Sequence, residues 1–169
     1  KRATVRKPPR ADMLQIFKDL GRIFQRKGRN QDALNVWKQL ESSFPGDHKI
    51  QEEIASILAE EGAREAALER YDALAKAHKD RSRQLEMSIR AAVLRAELGQ
   101  RENALREFER VLQTVNPDSW LHRDVRRRID EVFISSGDYD GLLTYYSKWI
   151  AAHPEDVDGM MRVGRMMSV

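Results

Sequence analysis

The sequence predicts an all-α fold of antiparallel helix pairs stacked one on the next, and three observations predict it. The 169 residues draw on Ala, Leu, Glu, Arg and Lys, with only 9 glycines and 5 prolines to interrupt helices and no long Val/Ile/Thr/Tyr alternation to build a sheet. A short motif recurs: Gly28, Ala33, Leu34, Trp37 and Leu40 return 34 residues later as Gly62, Ala67, Leu68, Tyr71 and Leu74. It returns again as Gly99, Ala104, Leu105, Phe108 and Val111, 37 residues on, and as Gly137, Leu142, Leu143, Tyr146 and Trp149, 38 further. The spacing small, aliphatic, aromatic, aliphatic at i, i+1, i+4 and i+7 puts these side chains on one face of a helix. The glycine ahead of each suits a left-handed turn between two helices.

Taken in order, residues 1–11 form an expected flexible basic tail. Lys1, Arg2, Arg6, Lys7 and Arg10 give the first ten residues a charge of +5, so the other 159 sum to −2 and the net +3 belongs to the tail. The helical domain is expected over 12–169. Its first copy, about 14–47, opens on a helix carrying Phe17, Leu20, Gly21 and Phe24, turns at Gly28, continues through Ala33 and Trp37, and closes at Pro45. Further copies occupy about 48–81, 85–118 and 123–156. Residues 157–169 restart the phase, with Met160, Val163, Gly164 and Met167 at the four first-helix positions. Gly21, Ala33, Ala55, Ala67, Ala92 and Ala104 are the expected points of close helix approach. Phe24, Trp37, Tyr71 and Phe108 plug the larger gaps, and stacking supplies a core that no single hairpin has. Polar residues after the turns, Asn30 and Asp138 among them, are expected to cap the second helices.

Written together, F-x2-L-G-x2-F, then Ala33-x3-Trp37, then Pro45 resembles the tetratricopeptide repeat, W-x2-L-G-x2-Y…A-x3-F…P. The resemblance covers residues 14 to 169, about four and a half repeats. It implies a right-handed superhelical solenoid of about nine helices, TPR-like throughout. Some positions depart from the pattern. Asp130 and Leu142 stand where the fourth copy wants small residues, so that helix pair is expected to splay or shift. Arg95 replaces an aromatic in the third copy, and Lys79 and Asn116 stand where the second and third copies want proline. Repeat drift accounts for these departures; the alternative is a fourth copy reshaped for a partner.

Nothing in the sequence calls for chemistry. With no cysteine there is no disulfide framework, thiolate nucleophile or Cys-ligated metal. His48, His78, His122 and His153 fall at repeat boundaries, and no H-E-x-x-H, phosphate-binding glycine loop or G-x-S-x-G occurs. No enzyme activity, cofactor or metal is expected. No apolar run approaches the ~20 residues that span a bilayer. The chain is expected to be soluble, with the cytoplasm the favoured compartment, although lack of cysteine does not fix one. Nucleic acid is an alternative ligand through the basic tail and Arg126–Arg128. Yet three consecutive helical residues spread round the helix, and Asp124, Asp130 and Glu131 flank them.

The resemblance implies a non-catalytic scaffold for protein or peptide segments, with the first helices lining the concave face. The groove residues it implies are Gln15, Lys18, Arg22 and Gln25, then Lys49, Glu52, Ser56 and Ala59, then Glu86, Ile89, Val93 and Ala96, then Asp124, Arg127, Glu131 and Ile134. Lys18 and Arg22 would attract an acidic stretch, and Ile89 and Val93 would take an apolar anchor. Members that clamp a C-terminal carboxylate do so with Lys, Asn, Asn, Lys and Arg. This chain offers Lys18 and Arg90 there, with Arg22, Glu53 and Glu86 in the other places, so that mode is not expected. A second rival is a structural spacer whose groove is unused. Met160, Val163 and Met167 form an apolar half-repeat. Either further repeats continue beyond residue 169 or that face pairs with another copy.

Overall fold

A computed structural model describes the backbone of residues 10–167 and the side chains of 11–165. Nine helices and no strand occur among these residues: α1 (Arg10–Arg26), α2 (Asn30–Ser43), α3 (His48–Glu60), α4 (Arg64–Ala77), α5 (Arg81–Glu97), α6 (Arg101–Leu112), α7 (Trp120–Ile134), α8 (Tyr139–Ala152) and α9 (Val157–Met167). The all-α fold class that the sequence predicts is thus the one observed. Helix α1 begins inside the span read as tail; residues 1–9 lie outside the described residues. The chain divides into two compact units, the first ending at Leu94 and the second beginning at Arg95 within α5.

One turn closes every hairpin. Gly28, Gly62, Gly99 and Gly137 have φ between 70° and 83°, the left-handed region that glycine enters without a Cβ penalty. Each glycine N–H donates to the carbonyl three residues back, and the next N–H to the carbonyl five back. Gly28 reaches Gln25 at 2.8 Å and Arg29 reaches Phe24 at 2.9 Å; Gly137 reaches Ile134 and Asp138 reaches Phe133, both at 3.0 Å. This is the Schellman arrangement, which satisfies the carbonyls a helix end leaves over. The residue after the glycine is the cap, so Asn30 already lies inside α2 and does not cap it. Arg29 holds that place with no side-chain cap bond. Of the four second helices only α8 is side-chain capped, by Asp138 accepting from the Gly141 N–H at 2.8 Å.

In the first unit the recurrent face is the core. Ala33, Trp37 and Leu40 of α2 and Ala67, Tyr71 and Leu74 of α4 are buried, packed with Ile50, Ile54, Ala55 and Leu58 of α3 and with Met87, Ala91 and Leu94 of α5. The α1–α2 seam closes where Gly21 meets Trp37. A Cβ on Gly21 would clash with the six-membered ring of the Trp37 indole, so glycine lets that ring lie against the α1 backbone. The Trp37 Nε1–H is buried there without a hydrogen-bond partner.

In the second unit Ala104, Phe108 and Val111 of α6 and Val125, Ile129 and Phe133 of α7 are buried, as are Leu142 and Tyr146 of α8. Asp130 forms polar contacts where the pattern wants a small residue. Its carboxylate accepts a hydrogen bond from the Tyr146 hydroxyl at 2.6 Å and pairs with Arg162 of α9. A polar link across three helices thus takes the place of a small residue. Burial pushes the Asp130 carboxyl up, against the pull of Tyr146 and Arg162, and pushes both Tyr145 and Tyr146 well above the ordinary phenol range.

Candidate functional site

On the first-helix face of the first unit, almost every charge read as available to a partner is already paired. Lys18 Nζ lies 2.8 Å from Glu53 of α3, and Arg22 lies 3.6 Å from Glu60 and 4.0 Å from Glu61. Glu52 reaches His78 at 2.9 Å and Arg83 of α5 at 3.8 Å. Arg90 pairs with Glu86 at 3.2 Å and lies over the Tyr71 ring, 5.8 Å from its centre. Helices α1, α3 and α5 are therefore laced together by exposed and half-buried ion pairs, each worth about 0.2–1 kcal/mol. The two cations at carboxylate-clamp places are held by two of the acids at the other places, Lys18 by Glu53 and Arg90 by Glu86.

Gln25 is half-buried at the α1–α2 turn, and its Oε1 is buried with no hydrogen-bond partner. Val93 is half-buried, while Ile89 is only 5% exposed and offers no open apolar anchor. The reason lies in α5 itself. Met87, Ser88, Ile89, Ala91, Ala92 and Leu94 are all buried, and at 100° per residue they cover about 220° of its circumference. Small Ser88, Ala91 and Ala92 let α5 be enclosed on more than one face.

Helix α7 in the second unit differs. Trp120 is 71% and Ile134 49% exposed, and they bracket Arg123, Arg127 and Glu131 along one stripe of the helix. Arg127 pairs within α7 to Asp124 at 2.7 Å and to Glu131. Arg128 also holds Asp124, at 2.8 Å, and these guanidiniums carry the Asp124 carboxyl below its usual range despite burial. Arg126, the first of the triplet, points inward: it is 1% exposed, pairs with Asp156, and lies over the Trp149 ring at 4.6 Å. Trp149 Nε1 donates to the same carboxylate at 2.7 Å. Burial raises Asp156, but the Gly159 N–H, Trp149 and Arg126 outweigh it and hold the carboxyl low. His122 is buried beside Arg126; burial first, then that positive charge, lowers its pKa.

The groove residues that the resemblance implies leave out Trp120, the first residue of α7 after the longer connection, and Arg126, hidden within an arginine run. In the sequence alone the histidines read as scattered. The structure sets the His48 and His78 rings edge to face, 4.7 Å apart, and places His122 and His153 round one cavity. Among the described residues no group of three or more His, Asp or Glu side chains is arranged to hold a metal ion, and no helix is long and apolar enough to cross a membrane.

Helix pairs closed by a shared glycine turn, with small residues or polar links at the crossings, define an α-helical repeat protein. The sequence pattern of the tetratricopeptide repeat matches residues 18–87, which supports reading that stretch as tetratricopeptide repeats. Three solved structures share the fold. A double mutant of MamA RS-1 is 17% identical, with 92% of this chain and 83% of that one covered and a TM-score of 0.52. The MamA protein is 15% identical, with 94% and 82% covered and a TM-score of 0.53. A tetratricopeptide repeat protein from Parabacteroides merdae ATCC 43184 is 24% identical, with 92% of this chain and 59% of that one covered and a TM-score of 0.51. No curated protein matches the chain. Tetratricopeptide repeats are commonly scaffolds for protein–protein interaction.

Proposed function

We propose that the chain is a non-catalytic scaffold that binds a protein or peptide segment along the exposed faces of its first helices. The observation that carries this reading is the α7 stripe. A tryptophan and an isoleucine stand in solvent at either end of three charged residues, on a helix whose other faces supply the core. Tryptophan and arginine dominate the energetics of protein interfaces because they combine area, rigidity and hydrogen bonding. Arg127, one of the groove residues the resemblance implies, lies in this stripe. The first unit, taken by itself, offers Lys18, Arg22, Gln25, Glu52, Arg90 and Val93 on its own first helices. There a partner must exchange with existing ion pairs, a small cost for each exposed pair.

The test is chemical crosslinking in lysate of the source cell, comparing the wild-type chain with Trp120→Ser/Ile134→Ser and with Arg22→Glu/Val93→Glu, all checked for equal helicity by circular dichroism. Loss of a discrete crosslinked partner in the first variant is the expected result. A partner recovered equally by all three baits would remove the first-helix faces from consideration.

A further inference from the structure

A cavity of about 510 Å³ opens in the second unit between the α6–α7 connection and the α8–α9 connection. Asp118 reaches it from the first connection, His122 and Arg126 from α7, Trp149 from α8, His153, Glu155 and Asp156 from the second connection, and Asp158 from the first turn of α9. The longer α6–α7 connection, which interrupts the 34-residue phase, supplies one rim.

Charge at this cavity is unbalanced. Four carboxylates, Asp118, Glu155, Asp156 and Asp158, face one guanidinium, Arg126. Two of the acids are committed: Asp156 accepts from Arg126, Trp149 and the Gly159 N–H, and Asp158 pairs with Arg162 at 2.8 Å. Asp118 and Glu155 are exposed, and none of the described ion pairs or side-chain hydrogen bonds engages their carboxylates. One wall is formed by the Trp149 and His153 rings, which stack 4.0 Å apart at 17°.

Arg126 adds an independent requirement. It is 1% exposed and lines the cavity, its Nη2 is bound to Asp156, and its Nε and Nη1 donate to no acceptor. A buried guanidinium with idle donors calls for an acceptor, since leaving such donors unmet is costly. An anionic ligand is opposed by the four carboxylates. A neutral acceptor carried on a positively charged ligand satisfies both demands, and a peptide carbonyl flanked by Lys or Arg side chains is such a group.

We propose that this cavity binds a basic stretch of polypeptide, its Lys and Arg side chains against Asp118 and Glu155 and a main-chain carbonyl directed to Arg126. The inference rests on the chain being a peptide-binding scaffold but uses a surface separate from the α7 stripe. The probe is a synthetic peptide, KRATVRKPPR, with blocked ends, against its counterpart with every Lys and Arg replaced by Glu. The readout is the Trp149 indole N–H resonance of the full chain, assigned by Trp149→Phe. The basic peptide is expected to shift it in a saturable way, with affinity falling as salt rises and about tenfold weaker for Asp118→Asn/Glu155→Gln. Trp120→Ser/Ile134→Ser should leave the titration unchanged, so failure of the α7 reading and failure of this one are separable. An unshifted Trp149 signal, equal binding of the acidic peptide, or equal affinity of the charge-neutralised variant would each overturn the proposal.

Discussion

Gly21 and Trp37 in the first unit hold the same repeat positions as Asp130 and Tyr146 in the second, yet the two seams close by opposite means. At α1–α2 the backbone yields: a missing Cβ admits a large ring, and van der Waals contact does the rest, with the indole N–H left without a partner. At α7–α8 a carboxylate occupies the slot and is answered by a hydroxyl and by a guanidinium from the following helix. The recurrent pattern therefore specifies where two helices meet and leaves open the kind of force that joins them. Packing at the first seam is intolerant of volume. The polar link at the second is intolerant of losing any one member, because each loss strands a half-buried charge or donor.

Four measurements break or sharpen this contrast. The largest effect is expected at Arg126. Arg126→Ala leaves Asp156 partly buried without its guanidinium and should cost about 3 kcal/mol in urea denaturation. The same truncation at Arg22, whose pairs are exposed, should cost under about 0.5 kcal/mol; equal costs would erase the distinction between units. Next is Gly21→Ala. The added methyl must displace the Trp37 ring, for about 2 kcal/mol, and hydrogen exchange should show faster opening confined to fragments of the first unit. Third is Tyr146→Phe, which removes one donor to an ionised acceptor and should cost about 1.5 kcal/mol. That cost should shrink in an Asp130→Asn background if the two groups act as a pair.

The smallest is a pH effect. His122 has a folded-state pKa below its unfolded value of 6.5, so the folded state prefers the neutral ring. That contribution is full above about pH 6.5 and is lost as pH falls through and below it, because the unfolded chain takes up the proton first. Asp124 and Asp156, held low, lose their contributions only below their ordinary 3.8, whereas the raised Asp130 acts in the opposite sense and above 3.8, gaining stability as pH falls through its folded value. Amides of α7 should therefore exchange faster at pH 5.5 than at 7.5, after correction for intrinsic rates, and His122→Gln should flatten the difference.

The fold was legible because its signals are local. Ala33, Trp37 and Leu40 lie on one helix face whatever surrounds them, and a glycine at the turn declares itself in one letter. The partner-facing surface was not. Lys18 and Glu53 are 35 residues apart in sequence, and their pairing depends on the lateral register of α1 against α3, which no periodicity encodes. Ile89 reads as a groove residue, yet small Ser88, Ala91 and Ala92 on its own helix allow that face to be enclosed. Asp130 read as drift, since its compensation arrives from Tyr146 and Arg162, 16 and 32 residues later.

The hairpin turns carry a further lesson. Two main-chain hydrogen bonds and one left-handed glycine complete each of them, and three of the four ask nothing of the following side chain. A segment whose reversal is written in backbone geometry can be copied whole within a gene and will fold back in its new place without a matched set of neighbours. Duplication followed by free divergence of the crossings, glycine against tryptophan in one copy and aspartate against tyrosine in another, is the history such a joint permits.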